Sequence, residues 1–85
     1  MLTFMEERDL ATQLQNEFNH LVLDRRAALR ELDMNQGELE RTLWMKNPDA
    51  DNVIRLYSFL KKKVAEQGGE VVPFSRMETL IEKVQ

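Results

Sequence analysis

At three places where a run of apolar residues at helical spacing begins, a hydroxyl or amide side chain is followed three residues later by glutamate: Thr3-x-x-Glu6, Asn35-x-x-Glu38 and Ser75-x-x-Glu78. In each pair the first side chain can accept from the third helical N–H while the glutamate reaches back to the N–H of the first residue, so each marks a helix start. Apolar residues at helical spacing follow every one of them. The pattern therefore predicts an all-α fold before any other property is considered.

The first helix is expected from Thr3 as N-cap to about Asn19, with Phe4, Leu10, Ala11, Leu14, Phe18 and Leu21 on one stripe. Asp24 caps a short second helix running to about Leu32, whose inward residues are Ala28, Leu29 and Leu32. A tight turn at Asp33-Met34 leads to a third helix, Gln36 to about Met45, anchored by Leu39 and Leu43. Lys46-Asn47-Pro48-Asp49 breaks the periodicity, because proline disfavours helix at the residue before it. A fourth helix begins near Asp51 with Val53, Leu56, Tyr57, Leu60 and Val64 inward, and Gly68-Gly69 stop it through a left-handed cap. Val71-Val72-Pro73 reads as an extended connector reaching Phe74, and Ser75 caps a short terminal helix carrying Met77, Leu80, Ile81 and Val84. No repeat or linker divides the chain, so residues 1–85 are read as a single domain, a compact bundle of about five helices.

With 85 residues and no cysteine, the stability of such a domain must come from matched helix faces or from self-association. The lack of cysteine also argues against a secreted disulfide scaffold, and no long uncharged apolar run suggests a membrane span, so a cytoplasmic protein is expected. A net charge of −3 removes any whole-molecule attraction to phosphate, so nucleic acid would have to be held by a local basic patch.

Catalysis is not expected. His20 is the only histidine, and neither Ser58 nor Ser75 has an evident base partner, so neither a hydrolytic triad nor a Cys–His nucleophile can be assembled. Asn47-x-Asp49-x-Asp51 begins like a calcium loop. Val53 then occupies a ligand position, and Ser58 stands where a bidentate carboxylate must close the site. No metal, cofactor or small-molecule substrate is implied.

The segment Arg25 to Trp44 has the length and spacing of a helix-turn-helix. With Arg25 as the first of twenty positions, Ala28, Leu32, Met34 and Leu39 fill the apolar places four, eight, ten and fifteen. Leu29 stands where a small residue is usual, Asp33 where glycine normally takes the left-handed turn, and Thr42 where an apolar residue is usual. On this register Asn35, Gln36, Gly37, Glu40, Arg41 and Trp44 are exposed, and Asn, Gln and Arg are competent readers of adenine and guanine edges. Arg25, Arg26 and Arg30 are available to phosphates, whereas Glu38 and Glu40 would repel them. The candidate DNA-contacting set is Arg25, Arg26, Arg30, Asn35, Gln36 and Arg41.

The rival reading is a protein-interaction or self-association module. Ile54 and Phe59 fall outside the core stripe of the fourth helix and Trp44 outside that of the third, so these three form the candidate interaction surface of a homodimer or of a contact with another protein.

The order of elements, with Asp51-Asn52-Val53-Ile54-Arg55-Leu56-Tyr57-Ser58-Phe59-Leu60 and the stretch Gly69 to Ser75 ending Val72-Pro73-Phe74-Ser75, resembles a small bacterial family of unknown function. The resemblance covers nearly the whole chain and implies one helix-turn-helix domain of the lambda-repressor-like type. It carries over no substrate, cofactor or catalytic residue.

Overall fold

The computed structural model describes residues 2–68 and 74–84, in which five helices are present and no strand: α1 (Phe4–Leu21), α2 (Arg25–Leu32), α3 (Gln36–Leu43), α4 (Ala50–Glu66) and α5 (Phe74–Val84). Two of the expected capping boxes are closed. Thr3 N–H donates to Glu6 Oε1 at 3.0 Å and Glu6 N–H to Thr3 Oγ1 at 3.2 Å. Asn35 N–H donates to Glu38 Oε1 at 3.1 Å and Glu38 N–H to Asn35 Oδ1 at 2.8 Å. Asp24 takes the N–H groups of Arg26 and Ala27, and Asp49 takes that of Asp51, so four helices begin on side-chain acceptors that satisfy otherwise free donors.

The fourth of these starts at Ala50, slightly ahead of the expected Asp51, because Asp49 is the cap. Ser75 does not stand ahead of its helix as expected. Helix α5 already includes Phe74, which places Ser75 inside the first turn, where its carbonyl accepts from Thr79 Oγ1 at 3.3 Å. Phe74 is buried against Tyr57, with ring centroids 6.1 Å apart. Gly68 has φ 72°, the left-handed conformation of a helix stop. The expected roles of Gly69 and of the connector at 70–73 lie outside the described residues.

Helix α4 is the centre of the assembly, packing on α1, α2, α3 and α5, while α1 crosses to touch α3 and α5 as well. Leu10 and Leu14 of α1, Leu39 of α3, and Val53, Leu56 and Leu60 of α4 have no solvent exposure, and α5 adds Phe74 and Met77. Each such leucine contributes about 1.5–3 kcal/mol of transfer free energy. Two long-range hydrogen bonds then fasten helix ends: Arg55 Nη1 donates to the Leu32 carbonyl at 3.2 Å, and Gln15 Nε2 to the Leu43 carbonyl at 2.9 Å. They satisfy carbonyls at the C-termini of α2 and α3 that have no partner within their own helix.

Three side chains depart from the sequence expectation. Phe4, placed on the inward stripe of α1, is 70% exposed: it lines the open groove beside Trp44, while Leu2 just before it packs against the core. Phe59 is only 8% exposed and belongs to the core. Thr42 is buried beside Leu43, which the methyl group favours, and its hydroxyl donates to the Glu38 carbonyl at 2.7 Å.

Candidate nucleic-acid interface

Two eight-residue helices, α2 and α3, are joined by Asp33, Met34 and Asn35. The joint is a Schellman closure made without glycine. Asp33 has φ 56° and ψ 48°, its N–H donates to the Arg30 carbonyl at 3.2 Å, and the Met34 N–H donates to the Leu29 carbonyl at 3.1 Å. Met34 and Leu29 line the same groove, which supplies the apolar contact that accompanies this motif. The same closure ends α3. Met45 has φ 52°, its N–H reaches the Thr42 carbonyl, and the Lys46 N–H reaches the Arg41 carbonyl at 3.0 Å. This left-handed turn stops α3 at Leu43, short of the expected Met45.

Burial of Ala28, Leu32, Met34, Leu39 and Thr42 turns the opposite sides of the two helices to solvent. The exposed residues of α3 are Gln36, Gly37 and Arg41, with Trp44 at its C-cap 56% exposed. Arg26 and Arg30 lie one turn apart on one face of α2. The guanidinium groups of Arg26, Arg30 and Arg41 make no ion pair among the described residues.

The other candidate contacts are engaged. Arg25 pairs with Glu40 at 3.1 Å and lies over the Phe18 ring, 5.5 Å from its centroid. Gln36 Nε2 donates to the same Glu40 carboxylate at 2.9 Å, so Arg25 and Gln36 converge on one acidic group. Both contacts are on the surface, where such pairs contribute little and can exchange partners. Asn35 is held more firmly. Its Oδ1 is committed to the helix cap, which conflicts with the free amide plane that paired recognition of adenine requires.

The three residues expected to form an apolar interaction surface are not brought together. Trp44 is exposed, Ile54 is half-buried against the core, and Phe59 sits inside it with Lys63 Nζ 5.3 Å from its ring centroid. Trp44 instead shares a groove of about 400 Å³ with Phe4, Ala11 and Met45. Phe4 was hidden from sequence reasoning because helical period places it in line with Ala11 without telling whether another element covers it. Its position as the first residue of α1 was the available signal.

Across the described residues no three His, Asp or Glu side chains gather as a metal site would require, and no helix is long and apolar enough to cross a membrane. A family model described as "Uncharacterized protein conserved in bacteria (DUF2316)" matches residues 1–84. The chain belongs to that bacterial family. No curated protein and no solved structure matches it. In this DUF2316 member four arginines between Arg25 and Trp44 stand against the carboxylates of Glu31, Asp33, Glu38 and Glu40.

Proposed function

We propose that this domain is a non-enzymatic, DNA-linked regulator that binds duplex DNA through a helix-turn-helix formed by α2 and α3. The observation that carries the reading is the left-handed turn at Asp33, together with burial of Ala28, Leu32, Met34, Leu39 and Thr42. These are the places at which a helix-turn-helix turns its chain and fills its interior, and they leave the outer side of α3 free for a groove. Arg26 and Arg30 contact phosphates, while Gln36 and Arg41 face base edges. Arg25 joins them when Glu40 releases it.

The balance of charge in this segment makes the interaction weak and strongly dependent on salt. Each phosphate contact contributes a slope of about −0.9 in log K against log salt, so three arginine contacts give about −2.7. Anisotropy titration of a labelled duplex across salt concentrations tests this. Arg41→Ala should weaken binding, and Arg26→Ala should make the slope shallower by about 0.9. Absence of binding to duplex DNA at about 50 mM salt overturns the reading.

A further inference from the structure

Four large apolar side chains are well exposed among the described residues, and two of them, Phe4 and Trp44, line the groove between the first turns of α1 and the end of α3. We propose that this groove seats a second copy of the chain, two protomers meeting through the same surface across a two-fold axis.

The first argument is area. An aromatic side chain carries about 150–250 Å² of surface, so Phe4 and Trp44 at 70% and 56% exposure leave roughly 200–300 Å² of apolar area on one protomer. Doubled across a two-fold axis, this is about a third to a half of the roughly 1,200 Å² at the lower end of specific interfaces, and the rest of the groove with its polar rim supplies the remainder.

The second argument is charge. Glu7 and Arg8 stand side by side on the rim, and neither carboxylate nor guanidinium has an ion-pair partner among the described residues; Arg8 lies only over the Phe4 ring, 5.9 Å from its centroid. A surface that meets itself must be its own complement, since residue i touches j and j touches i. Adjacent opposite charges meet that condition, with Arg8 of each protomer facing Glu7 of the partner. A uniformly acidic partner would meet Glu7, and a uniformly basic one would meet Arg8 and Lys46. The groove contains none of Arg26, Arg30 and Gln36, so a dimer built on it leaves these accessible, while Arg41, one turn before Trp44, borders it.

Sedimentation equilibrium of the full chain without DNA tests this, so failure here and failure of DNA binding are separate results. The wild type should approach twice the chain mass at high micromolar concentration. Emission of Trp44, the single tryptophan, should shift to the blue as mass rises. Phe4→Glu should keep the helical circular dichroism of the wild type, because Phe4 is not in the core, and should stay at the mass of one chain. Glu7→Arg and Arg8→Glu should each weaken association by about tenfold, and the double reversal should restore it. A wild type that stays at one chain mass overturns the proposal. So does a Phe4→Glu variant that dimerises unchanged, or a double reversal no stronger than its single parents.

Discussion

Asp33 offers a direct test of the joint on which the α2–α3 arrangement depends. It is a non-glycine residue at φ 56°, a conformation that costs an L-residue about 1–2 kcal/mol, with aspartate at the lower end. Its carboxylate has no hydrogen bond or ion pair among the described residues. It also sits at the negative end of α2, where an acidic group is unfavourable by about 0.3–1 kcal/mol. Asp33→Gly removes both costs and adds about 0.5–1 kcal/mol of chain entropy lost on folding, so it should stabilise the domain by about 0.5–1 kcal/mol. Asp33→Ala removes the charge but keeps the backbone cost, and should fall about 1 kcal/mol below the glycine variant. In a domain of this size that separation is about 4–8 °C in melting temperature, and urea unfolding followed by circular dichroism resolves it. If the glycine and alanine variants unfold together, Asp33 is not left-handed and the turn is built in another way.

Two further outcomes concern the core and the attachment of α5. Leu39→Ala should destabilise the domain by about 2–4 kcal/mol in the same assay, because a leucine with no exposure leaves lost transfer energy and a cavity behind; melting within a degree or two of wild type would contradict its anchoring role. Lys83 of α5 donates to Glu6 of α1 and, with the Thr3 N–H, lowers the glutamate pKa from 4.5 to about 2. Asp9 is lowered as well, first by Gln13 and then by Arg76, whose Nε is 2.7 Å away. A depressed carboxylate contributes stability above its unfolded pKa and loses it as pH falls through the folded value, so the Glu6 contribution should fade between about pH 4.5 and 2. Urea midpoints measured over that window should fall less steeply for Lys83→Ala than for wild type.

Local chemistry was legible in the residues themselves. Thr3 with Glu6, Asn35 with Glu38, and Asp24 act within one helical turn, so their spacing alone predicts the helix starts seen in α1, α3 and α2. Asp33 was readable for the same reason. It follows the last inward residue of one helix and precedes the cap of the next, leaving space only for a tight turn. What the spacing could not decide was which apolar residue another element would cover. Phe4 and Phe59 both carry an aromatic ring on a helix, yet one is exposed beyond the end of α3 and the other is enclosed where α4 meets α2. Ser75, read as a cap, lies within α5, whose Phe74 is buried against Tyr57 of α4, a contact that spacing along the chain does not reveal. Likewise the pairing of Arg25 with Glu40 joins residues from separate helices and depends on how α2 and α3 diverge after the turn, whereas the Gln36–Glu40 bond lies within one turn of α3. Helix identity and boundaries rest on bonds between residues three or four apart, which the order of residues specifies. The exposed groove and the free arginines rest on which faces meet, and only packing of all the elements together decides that.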